Sequence, residues 1–325
     1  EGTKAKQIVF SAVKDLRDNT ATIADRGLWG GIQINGNGKT NKCTDLQRAP
    51  LEGNLNVHGC HIISEGLPGT YGGNNNTESS GILKYVQIKH AGYKVVEGNE
   101  LNALTLNAVG SKTVLDYVQS YAAQDDAFEW FGGAVSAKHL VAVGTSDDGF
   151  DFTDGYVGNI QFALSVHPAG VGGNNCIEAD NTVTIRADDF TPLTKLRISN
   201  LTCVTNNVTK NQGTTPSPDG DSLGLLVREG MFIVVYNSIV TSNAPSAASK
   251  MLFTINDTEG PQTINAAKAG WTVVKSTVFA GSTGAVATFG KDQTNNPFDA
   301  AAWLLNETTN TQNKLVTATN QLPAT

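Results

Sequence analysis

Short runs in which apolar and polar residues alternate, separated by turns rich in glycine and asparagine, recur along this chain. Trp29-Gly-Gly-Ile-Gln-Ile-Asn-Gly36, Gly81-Ile-Leu-Lys-Tyr-Val-Gln-Ile-Lys-His-Ala-Gly92, Leu101-Asn-Ala-Leu-Thr-Leu106 and Thr113-Val-Leu-Asp-Tyr-Val-Gln119 each predict a short strand. Further strands are expected at 7–13, 158–166, 196–202, 224–230, 233–240, 251–255, 271–274 and 285–289. The strongest pattern lies in residues 116–155, where the sequence repeats itself at a step of 22 residues. Asp125-Asp126 falls on Asp147-Asp148, Phe128 on Phe150, Glu129 on Asp151, Trp130 on Phe152 and Gly133 on Gly155. A fixed period in the low twenties that carries β-rich runs predicts stacked coils rather than a closed globule. Asn174-Asn-Cys-Ile-Glu178 mirrors Asp147-Asp-Gly-Phe-Asp151 at an offset of 27, so a loop is inserted between those coils.

The pattern predicts an all-β fold, a right-handed parallel β-helix, as one domain over 1–325. Its parts are N-terminal strands in 1–40, a disulfide-stapled loop insertion in 41–80, coils in 81–290 and a C-terminal cap in 291–325. A long loop at 210–221 is expected to project from the stack. Pro297-Phe-Asp-Ala-Ala-Ala-Trp-Leu-Leu305 is the one helix expected, covering the open end. Gly36-Asn-Gly-Lys-Thr40 lacks the first glycine of a phosphate loop and reads as a turn. His58 and His61 sit in a segment too rich in glycine and proline for a helix and read as loop-packing or solvent-exposed residues.

Stacking brings side chains far apart in sequence to within one strand spacing, about 4.8 Å. In Phe128-Glu-Trp130, Phe150-Asp-Phe152 and Ile177-Glu-Ala179 the outer residues point inward and the central acid outward. Glu129, Asp151 and Glu178 then form an acidic ladder on the outer face, with Asp126, Asp148 and Asn175 as a second column at the adjacent turn. That second column either faces out or points inward, bonding backbone groups of neighbouring coils. Like charges at this spacing need a cation, a shared proton or hydrogen-bond donors. Three readings are open: Ca2+ held by hard oxygens of Asp126, Glu129, Asp148, Asp151 and Asp154; a structural ladder satisfied by Asn, Ser and backbone donors; or a catalytic carboxylate pair drawn from Asp148, Asp151 and Glu129.

Composition narrows the partners. The chain has 325 residues, 16% of them charged, and a formal net charge of −7, with Lys and Arg scattered. Nucleic acid and anionic membranes are poor partners for such a surface, and cations suit it. No apolar run approaches the roughly 18 residues of a membrane span. No signal-peptide pattern opens the chain, and Glu1-Gly-Thr-Lys reads as a mature or trimmed end. Four cysteines, Cys43, Cys60, Cys176 and Cys203, fit two local disulfides, 43–60 and 176–203, though three pairings are possible. Disulfides imply an oxidising, extracellular or periplasmic setting. Five Asn-x-Thr sequences, at Asn75, Asn200, Asn207, Asn256 and Asn306, are of the kind that arises by chance in an Asn- and Thr-rich chain.

With Leu28-Trp-Gly-Gly-Ile-Gln-Ile-Asn-Gly36, Asn99-Glu-Leu-Asn-Ala-Leu-Thr-Leu106, Asp125-Asp-Ala-Phe-Glu-Trp-Phe-Gly-Gly133 and Asp147-Asp-Gly-Phe-Asp-Phe-Thr-Asp-Gly155, the chain resembles the right-handed parallel β-helix, or pectin-lyase-like, superfamily over residues 28–240. It looks closest to secreted bacterial β-helix proteins of uncertain role. The resemblance implies the fold more than an activity. Pectinolytic hydrolases of the superfamily add Gly-His-Gly and Arg-Ile-Lys motifs; the first is missing here, and Leu196-Arg-Ile-Ser199 only brushes the second. Lyases of the superfamily pair calcium ligands with an Arg or Lys base, for which Arg186, Lys195, Arg197 and Arg228 are candidates by type. Near the acids, residues 125–155 offer only Lys138 and His139. The expectation is a secreted, non-enzymatic β-helix, surface-displayed, adhesive or self-assembling into filaments, with calcium or glycan contacts. The alternative is a calcium-dependent polysaccharide lyase or glycoside hydrolase acting beside the ladder.

Overall fold

The computed structural model describes the chain except residues 55–56, 67–68, 97–98, 169–172, 182–190, 206–222, 243–250, 258–261, 282–285, 291–296, 309 and 318–325. The expected loop at 210–221 and Arg186 lie outside the described residues. Among the described residues two large sheets form the walls of a parallel β-helix. The first has 11 strands. Its main path runs Ile8–Phe10, Ile82–Lys89, Val114–Tyr121, Ala137–Val143, Asn159–Val166, Lys195–Thr205, Ile239–Ser242, Val278–Gly281 and Lys314–Thr317. The second, of 8 strands, runs Ile32–Asn35, Leu104–Asn107, Phe128–Phe131, Phe150–Thr153, Asn175–Ala179, Leu223–Val227, Phe253–Asp257 and Val286–Gly290. Pairing within both is parallel, which only a coiled path between sequential strands allows.

The apolar members of the repeat fill the interior. Phe128, Trp130, Phe150 and Phe152 are fully buried. Phe128 stacks on Phe150 at 5.5 Å and Trp130 on Phe152 at 4.4 Å, so aligned positions touch coil on coil. Facing them from the first sheet are Val118, Leu140 and Ile198. Gly133 closes one of these turns at φ +76°, where a Cβ would meet the carbonyl oxygen of Val109 at 2.5 Å. Gly155, its partner in the repeat, adopts φ +89° for the same turn.

Each long run of the first sheet bends at one position. Tyr85, Tyr117, His139, Phe162, Asn200, Asn237, Ser276 and Gln312 all have φ between 48° and 62°. They fall at equivalent positions of successive coils. A left-handed residue turns the chain sharply, so the strand expected over 233–240 is in fact Phe232–Tyr236 and Ile239–Ser242 with Asn237 between them.

The N-terminal strands belong to the coils: Ile8–Phe10 pairs with the strand at Ile82–Lys89 and Ile32–Asn35 with Leu104–Asn107. The insertion holds a helix at Asp45–Arg48 and an antiparallel pair, Ile62–Ile63 with Thr70–Tyr71. Within it His58 is buried, its ring 5.2 Å from His61, as loop packing requires. In the turn after Asn35, the Lys39 N–H donates to Asn76 Oδ1 at 2.6 Å. The expected C-terminal helix is present at Ala300–Leu304, capped by Asp299, which accepts from the Ala302 N–H at 2.9 Å. It is not alone: Gln262–Lys268 is also helical, burying Thr263, Ile264, Ala266 and Ala267. That segment is short and carries β-branched residues, so its helical periodicity is weak in sequence and tertiary burial decides it.

Both expected disulfides form, Cys43–Cys60 and Cys176–Cys203. The second ties a strand of the second sheet to one of the first. Replacing Cys176 and Cys203 together by serine is expected to lower unfolding free energy by about 3–4 kcal/mol. Denaturant unfolding followed by circular dichroism checks this; an unchanged midpoint would show that stacking alone holds the two sheets.

Candidate functional site

The acids of the repeat come together as stacking requires. Glu129 pairs in register with Asp151, and Asp151 with Glu178. The row is bounded by Thr105 on one side and Leu226 on the other. Their side chains leave the core, yet they do not line an open groove. Glu129 and Asp126 are only 8% and 7% exposed. The ladder is thus buried at its Glu129 end and half-buried at Asp151 and Glu178, and the insertion packs against the ends of these strands at Phe131 and Asp154. Thr40 and Asn41 bond to the Asp154 carbonyl, Tyr71 packs its ring 6.4 Å from Phe131, and the Lys42 ammonium lies 5.3 Å over the same ring.

The turn column takes the inward option. Asn102 Oδ1 accepts from the Asp126 N–H at 3.1 Å, Asp126 Oδ1 from the Asp148 N–H at 2.8 Å, and Asp148 Oδ1 from the Asn175 N–H at 2.6 Å. Each side chain thus satisfies a backbone donor of the next coil. Asparagine at both ends of this column also serves the ladder: Asn102 Nδ2 donates to Glu129, and Asn175 Nδ2 donates to Glu178 Oε2 at 3.0 Å.

Burial is the first cause of the perturbed titration here. It holds the carboxyls of Asp126, Glu129, Asp148 and Asp151 well above the usual range, and neighbouring acids push them further. Burial raises Glu178 as well, with Arg228 opposing it. Arg228 Nη2 lies 2.6 Å from Glu178 and 3.3 Å from Asp180. At the other edge Lys42 Nζ lies 2.7 Å from Asp154, whose carboxyl burial nonetheless pushes up to about 6. Glu65 of the insertion is pushed up to about 7, again chiefly by burial.

The five residues expected to share a cation divide three ways. Asp126, Glu129 and Asp151 place oxygens within 4.8 Å of one another. Asp148 turns to the Asn175 amide and to Glu178, and Asp154 is held by Lys42. A second cluster joins Asp125 and Asp147, the first members of the two Asp-Asp pairs, with Asp126. Arg228 and Lys42 lie against acids of this region, and both come from outside 125–155. Lys138 and His139 sit on the first sheet instead. Lys195 and Arg197 are also on that sheet. Chain folding over long separations supplies what the local sequence lacks.

The donors suit a hard divalent cation, since carboxylate oxygens from two adjacent coils converge. Asp151 Oδ1 is buried without a hydrogen-bond partner.

A parallel solenoid with an enclosed polar column places the chain among the β-helix proteins. Residues 1–320 match the Pectate-lyase like beta helix domain, and the chain belongs to that family. No curated protein and no solved structure matches it.

The backbone-accepting role of Asp148 separates two substitutions. Asp148→Ala leaves the Asn175 N–H buried and unpaired, an expected loss of about 1–3 kcal/mol. Asp148→Asn keeps the acceptor and removes the buried charge, so at pH 8 in chelator it is expected to hold or raise stability. Chemical denaturation of the two variants side by side checks the difference.

Proposed function

We propose that this protein is a non-enzymatic extracellular β-helix scaffold, displayed at a cell surface or assembled with copies of itself, in which Ca2+ bound by Asp126, Glu129 and Asp151 fastens adjacent coils. The observation that carries this reading is convergence with little exposure: Asp126 and Glu129 are buried and Asp151 half-buried where their oxygens meet, with one Asp151 oxygen unpartnered, so little of the cluster is open to a polymer. Two disulfides fit an extracellular protein, and among the described residues no helix is long and apolar enough to cross a membrane. Self-assembly has its own support. Among the described residues the first sheet ends in Ile8–Phe10 at one side and Lys314–Thr317 at the other, with Val9, Phe10 and Leu315 exposed. Edge strands of one sheet at opposite ends suit head-to-tail stacking.

One observation favours a lyase or hydrolase instead, the arrival of Arg228 beside the acids. Arg228 spans Glu178 and Asp180, and its pKa is raised, because these two acids outweigh the lowering by burial. A guanidinium held in that way stays protonated and is a poor base.

The titration shifts fix the sign of the calcium effect. A carboxyl whose pKa is raised by folding binds its proton more tightly in the fold than in the unfolded chain. Its contribution to stability is therefore greatest below the unfolded value, about pH 4, and is lost as pH rises towards the folded one. Calcium reverses that loss by occupying the ionised oxygens. At roughly a hundred times its Kd it is expected to add about 2.7 kcal/mol at pH 8, and much less at pH 5, where protons compete. Thermal melts with calcium and with chelator at both pH values check this, and Asp151→Asn is expected to abolish the shift. Calcium-independent melting at pH 8 would remove the cation from the reading. Turnover of an acidic or neutral glycan that Asp151→Asn abolishes would replace the scaffold with an enzyme.

A further inference from the structure

The outer surface of the first sheet carries an aromatic corner that the acidic column does not explain. Tyr85, Tyr117, His139, Phe162, Asn200 and Asn237 follow one another coil on coil, all with left-handed backbone. Asparagine accepts that conformation readily, and two of these coils use it; bulky side chains resist it. Four consecutive coils nevertheless place rings there. Tyr85 stacks on Tyr117 at 4.6 Å, Tyr117 on His139 at 4.1 Å and His139 on Phe162 at 5.0 Å. The rings are close to parallel, with interplanar angles of 10°, 5° and 11°. Since their faces cover one another, solvent meets ring edges, and Tyr117 and Phe162 remain 41% and 43% exposed.

A groove of about 350 Å³ runs beside this corner. Gln7, Gln87 and Gln119 line it together with Tyr85, Tyr117 and His139. Gln87 donates to Gln7, and Gln87 pairs in register with Gln119, so the amides form a row parallel to the rings. Lys4 is the only permanently charged residue in this lining. A carboxamide offers an acceptor and donors in one plane, which matches adjacent hydroxyls that both give and accept. Ring edges carry the positive side of the aromatic quadrupole and favour oxygen lone pairs. A peptide strand would need an open sheet edge or apolar pockets, and this groove crosses paired strands.

We propose that this groove binds a neutral, hydroxyl-rich polysaccharide laid along the solenoid axis, with the amide row taking its hydroxyls and the ring edges supporting its sugar rings. On the far side of the corner, a larger groove of about 650 Å³ has mixed charge from Asp116, Lys138 and Arg197. An acidic chain would favour those cations over the amide row. The proposal rests on the extracellular reading above but not on calcium, so a chelator separates the two.

The full-length chain is tested by pull-down and affinity electrophoresis on cellulose, xylan and mannan, with polygalacturonate and alginate as acidic arms, each with and without chelator. Retention on a neutral polysaccharide, insensitive to chelator, is expected. Tyr117→Asn with Phe162→Asn keeps a residue suited to the left-handed corner, and is expected to weaken binding by about tenfold or more while the melting temperature holds. Gln87→Leu with Gln119→Leu leaves the stack intact and is expected to produce a similar loss. No retention on any neutral polysaccharide, stronger retention on an acidic one, or unchanged binding in the glutamine variant would each overturn the proposal. A collapse in stability of the asparagine variant, with binding by the glutamine variant intact, would show that the rings serve the fold alone.

Discussion

Hydrogen bonds from one coil to the side chains of the coil before it hold the molecule in register. A parallel sheet has evenly spaced ladder bonds and no hairpins to fix its alignment, and a slip of one residue would turn every inward side chain outward. Along the second sheet the turn column prevents that slip. Asn102, Asp126 and Asp148 each accept from the backbone N–H of the equivalent residue on the next coil. These bonds lock the aromatic ladder of Phe128, Trp130, Phe150 and Phe152 at the same time, because column and ladder lie on one short strand and its preceding turn.

That solution creates an electrostatic problem. Where the accepting side chain is aspartate rather than asparagine, and its neighbour two positions into the strand is another acid, ionised groups meet in a closed space. Within 4.8 Å, with an effective dielectric of about 20, each ionised pair repels by at least about 3 kcal/mol. The chain relieves this differently at each edge. Arg228 neutralises the Glu178 and Asp180 edge, and Lys42 neutralises Asp154. Between them Asp126, Glu129 and Asp151 have the Asn102 amide but no cation within salt-bridge distance among the described residues. Retained protons relieve this, since burial and the neighbouring acids hold all three carboxyls well above the usual range.

Much of this was legible in the sequence. The step of 22 residues that aligns Asp126 with Asp148 is also the separation of the two hydrogen-bonded residues, so periodicity and inward-outward alternation carry both the fold and the acid row. Both disulfides are the local pairings among the three that four cysteines allow, and the structure decides between them. What sequence could not show depends on which coils end up beside which loops. Arg228 lies 48 residues from Asp180, and the Thr40 hydroxyl reaches the Asp154 carbonyl across 114; no local pattern encodes either meeting. The burial of Glu129 is hidden from sequence for that reason, since alternation tells inside from outside on a strand but not how much of the outside is covered. The helix Gln262–Lys268 was missed because its length is too short for a periodicity to show.

The two faces of the solenoid have met the same geometric demand with opposite chemistry. On the second sheet a polar corner is buried, one oxygen each of Asn102, Asp126 and Asp148 taken by a backbone donor. On the first sheet the corner needs only a left-handed residue, and asparagine or serine meets that need at Asn200, Asn237 and Ser276. Tyrosine, histidine and phenylalanine at the four preceding coils are therefore not what the turn itself selects. Mutual stacking recovers part of the backbone strain, yet burying such rings would recover more, and Tyr117 and Phe162 stay open to solvent. An exposed aromatic row on a strained corner is best accounted for by what it meets outside the chain.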